Sequence, residues 1–294
     1  MKGVSRVTLC LVASWVFLLA TYVASEETEA SQGAILWAVN NAQPFYILEG
    51  ENQGQGFGDR IQQLIIKALP QYEHTIQRIP LRRVVHSMEQ GSPLCFSTWI
   101  YGTRPDISIS SAPYLHYHEH GLVMLTSTYD RLGRPEQLSL SRLLQDSDLA
   151  LGQPLGRGYG TRLDPILDQY EQSAPIIRSS GPSTESIFKM LQFGRVLYTI
   201  EYPYTMRYYE QALNLQDQLE FVPIKENRGN IVLGSVACTR SEWGRRVIED
   251  INQAIRSIRT TETHREILRD WLVYPESEGS YWQFYESNVL TVPQ

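Results

Sequence analysis

Short apolar runs alternate along this chain with segments in which apolar residues recur every three to four positions. The runs predict buried strands, and the longer period predicts helices with one apolar face. In the first part of the chain these are strands over 35–39, 74–79 and 94–100 and helices over 59–68 and 81–90. Because strands that alternate with helices are joined by right-handed crossovers, the pattern predicts an α/β fold with a parallel sheet.

The alternation restarts after a further strand predicted over 121–127. A polar link over 129–137 leads to strands near 149–151, 176–177 and 196–200 and to helices over 139–145, 163–170, 184–192 and 204–213. Two more strands, over 221–224 and 231–237, come next. The chain then finishes in helices, the first opened by a predicted capping box at Thr239 and Glu242. That helix is predicted to carry an apolar stripe formed by Trp243, Val247, Ile248, Ile251, Ile255 and Ile258.

This layout predicts two α/β lobes, with the second inserted in the first. Lobe 1 is formed by residues 33–126 and 227–294, and lobe 2 by residues 127–226. The chain crosses between the lobes twice, near 125–130 and near 222–230. The length suits two lobes of this kind, each with its own core.

The N-terminus has the pattern of a secretory signal. Lys2 and Arg6 precede an apolar run over 7–23, and small residues around Ala24 and Ser25 offer a cleavage site. We predict cleavage near Ser25 and export to the periplasm. An uncleaved membrane anchor is the alternative, because the run is nearly long enough to span a bilayer.

The amino-acid composition limits the classes of molecule that this chain is expected to bind. The net charge is −6, and loss of the leader with its two basic residues would make it more negative. An acidic chain lacks the positive surface that binds nucleic acid. The 17 tyrosines and 6 tryptophans suit a cleft that stacks on small ligands, besides supplying core side chains.

Two cysteines, Cys95 and Cys238, lie outside the leader. In an oxidising compartment two cysteines favour a disulfide, so we predict that they are bridged. Both lie in apolar, strand-like runs, and two buried free thiols are the alternative.

Arg104 follows the strand predicted over 94–100 and so lies in a loop past a strand's carboxyl end. Ligands of open α/β sheets bind at that edge, and the planar guanidinium suits a carboxylate. The segment therefore predicts an anion-binding loop. A surface arginine before a turn at Pro105 is the alternative.

Three histidines, His116, His118 and His120, alternate along one segment and flank Glu119. On a strand they would share one face and could form a metal site. Alternate histidines crowd a tetrahedral ion, however, and no H-E-x-x-H spacing is present. We expect a solvated or cleft-lining strip that holds no metal.

Four segments resemble those of the type II periplasmic solute-binding proteins, in the amino-acid-binding branch known as family 3. They are Gly56-Phe-Gly-Asp59, Thr103-Arg104 with Ser111-Ala-Pro-Tyr114, Gly158-Tyr-Gly-Thr161, and Gly194-Arg-Val196 leading to Tyr198-Thr-Ile-Glu201. The likeness covers nearly the whole chain after the leader and is closest to an uncharacterised subset with the same two cysteines. Two positions depart from the family pattern: Thr103 replaces its glutamate, and Glu201 replaces its aspartate.

The resemblance implies capture of a small, amino-acid-like carboxylate by hinge closure of the two lobes. Arg104 would hold the carboxylate, Glu201 would pair with an ammonium, and residues 158–161 would add backbone N–H groups. The implied ligand-binding residues are Arg104, Glu201, Phe45, Trp99, Tyr101, Tyr159, Gly160 and Thr161. The implied protein is a monomer without a cofactor, serving an inner-membrane permease or sensor.

Other interpretations remain open. Each aromatic residue could be ordinary core, and Glu201 could be a solvated acid at a strand end. A secreted enzyme on the same fold is the main alternative, either dehydratase-like, with Glu201 and a histidine in acid–base chemistry, or metal-dependent through residues 116–120.

Overall fold

The computed structural model describes residues 33–179 and 184–292, in which two mixed β-sheets are packed with helices. The strands are β1 (Ala34–Val39), β2 (Glu73–Arg78), β3 (Cys95–Ile100), β4 (Ser108–Ser110), β5 (Leu115–Tyr117), β6 (Gly121–Leu125), β7 (Leu151–Pro154), β8 (Ile176–Ser179), β9 (Tyr198–Glu201), β10 (Leu219–Pro223) and β11 (Val232–Thr239). The predicted leader over residues 1–25 lies outside the described residues.

The helices follow the predicted alternation with the strands. They are α1 (Phe57–Lys67), α2 (Leu81–Glu89), α3 (Thr126–Arg131), α4 (Leu140–Leu144), α5 (Asp164–Tyr170), α6 (Glu185–Gln192), α7 (Pro203–Ala212), α8 (Glu242–Ile258), α9 (Glu262–Trp271) and α10 (Glu278–Phe284). A π-helical turn over Tyr285–Val289 follows α10. Among the described helices, none combines the length and the apolar character needed to cross a bilayer.

The sheet of lobe 1 has the strand order β2-β1-β3-β11-β4, with β5 also paired to β11. β1, β2 and β3 are parallel, as predicted, but β11 runs antiparallel to β3. The second sheet has the order β10-β6-β9-β7-β8, and only β7, β8 and β9 are mutually parallel. The expectation of purely parallel sheets is therefore wrong where the chain crosses between the lobes.

The crossings explain this difference. β6 pairs with β9 and β10, so Gly121–Leu125 belongs to the second sheet and not to the end of lobe 1. The first crossing thus falls between Tyr117 and Gly121, ahead of the predicted 126/127 boundary. Apolar alternation cannot reveal this, because a buried strand has the same pattern in either sheet.

Smaller differences have local causes. The short helix α3 occupies the start of a segment expected to be a polar link. The N-cap of α8 is Ser241, whose Oγ accepts from Gly244 N at 3.0 Å, and not Thr239. The predicted apolar stripe of α8 is confirmed, because Val247, Ile251 and Ile255 are buried against lobe 1.

Cys95 and Cys238 form the predicted disulfide. They face each other on β3 and β11 with a Cα–Cα distance of 4.1 Å. The bridge therefore joins the strand that leads to Arg104 to the strand that returns from lobe 2.

The cores of the lobes meet at one place. Most of the lobe 1 core comes from its own sheet and helices, but Tyr202 and Tyr204, from the start of α7 in lobe 2, are buried within it. Phe45 of lobe 1 lies 6.0 Å from the Tyr202 ring and 5.9 Å from the Tyr204 ring. The end of β9 is thereby held against lobe 1.

Candidate ligand-binding cleft

A cleft of about 440 Å³ lies between the two lobes. From lobe 1 it is lined mainly by apolar side chains and by the loop after β3; from lobe 2 it is lined by the loop after β7 and the start of α5. The lining residues include Phe45, Leu81, Val85, Phe96, Trp99, Arg104, Gly156, Arg157, Gly158, Gly160, Thr161, Asp164 and Asp168.

The structure brings five of the eight predicted site residues to this cleft: Phe45, Trp99, Arg104, Gly160 and Thr161. The other three lie elsewhere. Tyr101 is on the surface with 38% of its area exposed, while Tyr159 and Glu201 are fully buried outside the lining. Tyr101 follows the last residue of β3, and its neighbours Ile100 and Gly102 line the cleft whereas Tyr101 itself does not.

Arg104 is exposed and has a left-handed backbone, with φ 49°. Its carbonyl oxygen accepts hydrogen bonds from Ser108 N at 3.1 Å and Ser108 Oγ at 3.0 Å. A non-glycine residue in this conformation costs about 1–3 kcal/mol, and such residues cluster at functional sites. Within residues 33–179 and 184–292, its guanidinium donates no hydrogen bond and forms no ion pair.

The glycine-rich loop opposite Arg104 was predicted to offer backbone N–H groups to an anion. In the structure these groups bind an anion of the chain itself: the Asp164 carboxylate accepts from Tyr159 N at 2.7 Å and from Gly160 N at 3.1 Å. Gly160 has φ 93°, which glycine tolerates readily. Burial raises the pKa of Asp164, while the two N–H groups and the Arg104 charge oppose the rise.

Glu201 also has a partner within the chain. Arg157 Nη2 lies 3.2 Å from Glu201 Oε2, and the two side chains are 13% and 1% exposed, respectively. Burial raises the pKa of Glu201, although the neighbouring guanidinium opposes the rise. Burial also disfavours the charged form of Arg157, but the Glu201 carboxylate and the neighbouring tyrosines together outweigh this and raise the pKa of Arg157.

Aromatic rings surround this ion pair. The guanidinium carbon of Arg157 lies 5.9 Å from the ring centre of Phe45 and 5.8 Å from those of Tyr159 and Tyr202. These distances fall within the range of cation–π attraction. A carboxylate and three rings thus form a cation site, and Arg157 occupies it.

Sequence reasoning missed Arg157. It lies inside the glycine-punctuated loop that was predicted to approach the ligand, directly before Gly158. Two features of the sequence could have indicated the pair. One is the single basic residue in that loop, and the other is the single acidic residue at the end of the neighbouring strand. Recognising them as partners requires knowing that β7 and β9 are adjacent.

Several buried polar atoms near this pair have no hydrogen-bond partner in the described part of the chain. They are Tyr117 OH, Tyr159 OH, Tyr204 OH, Glu201 Oε1 and both ring nitrogens of His120. Burial lowers the pKa of His120, and the Arg157 charge adds to this effect. His120 is therefore a neutral ring, stacked on Tyr202 with a centroid distance of 3.9 Å.

The three histidines do not form the expected solvated or cleft-lining strip. His116 Nε2 donates to the Tyr281 carbonyl at 3.1 Å, and His118 Nε2 donates to the Leu272 carbonyl at 2.6 Å. β5 ends at Tyr117, so the chain no longer holds all three on one face. In the described residues, no group of three or more His, Cys, Asp or Glu side chains could hold a metal ion together.

The two crossings between the lobes are hydrogen-bonded to each other. Asn227 Nδ2 donates to the His120 carbonyl at 2.9 Å, and Gly229 N donates to Glu119 Oε1 at 2.8 Å. At the far side of the cleft, Tyr209 OH of lobe 2 donates to Gln43 Oε1 of lobe 1 at 2.8 Å. These contacts hold the lobes in the arrangement that encloses the cleft.

The chain matches no protein-family model and no curated protein sequence. Solved structures resemble it. An ancestral arginine-binding protein bound to arginine is 17% identical, with 82% of this chain and 99% of that protein covered and a TM-score of 0.62. A putative L-cystine ABC transporter from Listeria monocytogenes is 15% identical, with 84% and 97% covered and a TM-score of 0.63.

A third neighbour is an ancestral amino-acid-binding protein that is a precursor of cyclohexadienyl dehydratase. It is 13% identical, with 84% of this chain and 98% of that protein covered and a TM-score of 0.61. At these identities the likeness is one of fold. The chain has the two-lobed fold of the periplasmic amino-acid-binding proteins, as the sequence motifs predicted.

Proposed function

We propose that this protein captures a small carboxylate-bearing solute in the cleft between its lobes, with Arg104 as the anchor. The observation that carries the proposal is the state of Arg104 in this cleft. Its guanidinium donates no hydrogen bond to any described residue. Its backbone is nevertheless held in a strained turn, because the Arg104 carbonyl oxygen accepts a hydrogen bond from Ser108. A fork of N–H donors at a strand's carboxyl end suits a carboxylate.

Capture would proceed by closure of the lobes. The cleft is lined from both lobes, and two short crossings connect them. A solute that contacts both lobes stabilises the closed arrangement by its differential affinity. Neighbours that bind amino acids support a binding role, in transport or in sensing, for an exported protein with a predicted leader and a permease or sensor as its membrane partner.

Binding is favoured over catalysis by the positions of the acid–base groups. The dehydratase-like alternative needs Glu201 and a histidine facing the substrate. Glu201 lies outside the lining and is paired with Arg157, and His116, His118 and His120 do not line the cleft either. A general acid or base must be within hydrogen-bond reach of the reacting group.

The test is calorimetric titration of Arg104→Ala with the carboxylate that thermal-shift screening of the parent protein selects. Removing one partner of a desolvated charge pair costs about 2–5 kcal/mol, which is roughly 30- to 5,000-fold in affinity. Arg104→Lys should restore only part of this loss, because an ammonium cannot donate in a planar fork.

Arg134 provides a matched control. It is also an arginine with a left-handed backbone, φ 51°, but it is exposed on lobe 2 and paired with Asp130. Arg134→Ala should leave the affinity unchanged. If Arg104→Ala binds the selected carboxylate as tightly as the parent does, the proposed anchor is wrong.

A further inference from the structure

The acids near the cleft determine whether a ligand's ammonium group can bind there. An ammonium that leaves water needs a carboxylate partner to offset its lost hydration. Glu201, Asp164 and Asp168 are the acids at or beside the cleft among the described residues. Asp168 is exposed at the rim, so only Glu201 and Asp164 could serve a desolvated ammonium.

Glu201 is already neutralised by a cation that belongs to the chain. Arg157 pairs with it at 3.2 Å and fills the space among Phe45, Tyr159 and Tyr202. Because a guanidinium does not lose its proton in proteins, this positive charge is permanent. It would repel an ammonium that approached the same end of the cleft.

Asp164 also has hydrogen-bond partners within the chain. Its two carboxylate oxygens accept the N–H groups of Tyr159 and Gly160, at 2.7 and 3.1 Å. Of the charges around it, Asp168 adds to the rise in the pKa of Asp164, whereas Arg104 opposes that rise. The charge of Asp164 is therefore shared with two backbone N–H groups that are fixed in place, which makes it a weaker partner for an ammonium than a free carboxylate.

Much of the remaining lining is apolar, although Asn40, Thr98, Thr103 and Thr161 also line the cleft. Leu81, Val85, Phe96 and Trp99 of lobe 1 face the cleft together with Phe45. Such a surface stabilises the hydrocarbon or aromatic part of a ligand by removing it from water.

We infer that the cleft selects carboxylates with an apolar body and no ammonium group, and that Arg157 is the residue that excludes amino acids. The inference rests on the proposed function and narrows its ligand class. Arg104 receives the carboxylate, while Arg157 fills the place beside Glu201 that a cationic group of the ligand would need.

The first experiment uses matched pairs of probes that differ only in the ammonium group. These are 3-phenylpropanoate with L-phenylalanine, and 4-methylpentanoate with L-leucine, titrated into the full-length mature protein by calorimetry. We expect the acid without the ammonium to bind at least tenfold more tightly in each pair. Equal or tighter binding of the amino acids would overturn the inference.

The second experiment removes the internal cation. Arg157→Ala should shift the preference within each pair toward the amino acid by at least tenfold. It should also make the thermal midpoint rise with millimolar guanidinium chloride, which can enter the vacated site, whereas the parent should show no such rise. An unchanged preference together with no response to guanidinium would contradict the role given to Arg157.

A neutral double variant guards against failure to fold. Arg157→Met with Glu201→Gln removes both charges, so no buried charge is left unpaired. This variant should discriminate less than the parent, because the repelling charge is gone, but it should not come to prefer amino acids as Arg157→Ala does, because Glu201→Gln leaves no carboxylate there for an ammonium. Discrimination as strong as in the parent would show that Arg157 is not its source.

The outcomes separate this inference from the proposed function. If amino acids bind more tightly and their binding depends on Arg104, the proposed function stands and the inference is wrong. If no member of any pair binds at millimolar concentration, the proposed function is contradicted and the inference falls with it.

Discussion

The two lobes each bring an arginine to the same cleft, in opposite states. Arg104 of lobe 1 is exposed and donates no hydrogen bond within the described residues. Arg157 of lobe 2 is 13% exposed, paired with Glu201 and surrounded by rings. The comparison teaches that an arginine's role follows from what already neutralises it: Arg104 has no such partner and is the proposed ligand anchor, whereas Arg157 has one and is the residue that we infer to restrict which ligand fits.

The two lobes also differ in the kinds of groups on which their stability depends. Lobe 1 carries the disulfide, and all six histidines of the chain lie outside residues 121–224. Lobe 2 contains the buried ion pair instead. We therefore expect the stability of lobe 1 to respond to reduction and to acid, and that of lobe 2 to respond to loss of a charge partner.

The largest expected effect is loss of the disulfide. Cys95→Ser with Cys238→Ala releases a loop with a sequence separation of 143 residues. The chain-entropy model assigns a bridge over such a loop about 5 kcal/mol of unfolding free energy. Urea unfolding followed by tryptophan fluorescence should show this loss. If the double variant unfolds at the same urea concentration as the parent, lobe 1 does not depend on the bridge.

The next largest effect is expected from breaking the buried ion pair of lobe 2. Glu201→Gln leaves Arg157 as an unpaired, nearly buried charge, and breaking a buried pair in this way costs about 3–5 kcal/mol. Urea unfolding provides the measurement.

The control is Glu171→Gln, which breaks the exposed pair with Arg178 in the same lobe and should cost less than about 1 kcal/mol. Equal effects of the two substitutions would mean that burial does not distinguish these pairs. The assignment of Arg157 as a structural cation would then be wrong.

The two arginines also show how far the sequence leads. Arg104 could be predicted, because its position depends on one local feature: a loop after an apolar run whose strand is confirmed as β3. Glu201, the last residue of β9, was predicted to meet the ligand because its segment resembles the family's motif before a ligand-facing acid. Its actual partner depends on the adjacency of β7 and β9, which no local pattern encodes.

The same distinction applies to the fold. Periodicity predicts strands and helices from local sequence, and the apolar stripe of α8 is confirmed. The disulfide, predicted from two cysteines in an oxidising compartment, is also present. The sheet to which β6 belongs is a matter of long-range pairing, because Leu122, Val123 and Met124 would be apolar in either lobe. The histidines mislead for a related reason: their alternation resembles one strand face, but β5 ends before His118.

Acid should destabilise lobe 1 in particular. Burial lowers the pKa of His116 to about 4 and that of His264 to about 3. The unfolded chain then binds more protons than the folded one below the usual histidine pKa of 6.5, so stability is lost as the pH falls from there toward 4. Between pH 7 and pH 5 each histidine should remove about 2 kcal/mol of unfolding free energy.

The check is the pH dependence of urea unfolding in His264→Leu. This variant removes one of the two groups and keeps an apolar side chain in a buried position, so the loss between pH 7 and pH 5 should shrink by about 2 kcal/mol. His86→Leu, at an exposed position of lobe 1, is the control and should leave the slope as it is. An unchanged slope in His264→Leu would show that its burial does not control the acid response.

The smallest expected effect tests whether the lobes act together on the ligand. Tyr209 OH of lobe 2 donates to Gln43 Oε1 of lobe 1 at 2.8 Å. Tyr209→Phe removes this bond between the lobes, together with the hydroxyl's contact to the Glu185 backbone within lobe 2, while the ring remains stacked on Phe188. One such bond contributes about 0.5–1.5 kcal/mol, which is roughly 2- to 13-fold in an equilibrium constant. If the ligand binds the closed arrangement, its affinity for Tyr209→Phe should decrease by a factor within this range. The radius of gyration of the unliganded variant, measured by X-ray scattering, should increase. Tyr208→Phe, on the same helix, is the control and should change neither quantity. Unchanged ligand affinity and an unchanged radius of gyration in Tyr209→Phe would mean that this contact does not govern closure. Ligand affinity would then not depend on how tightly the two lobes meet.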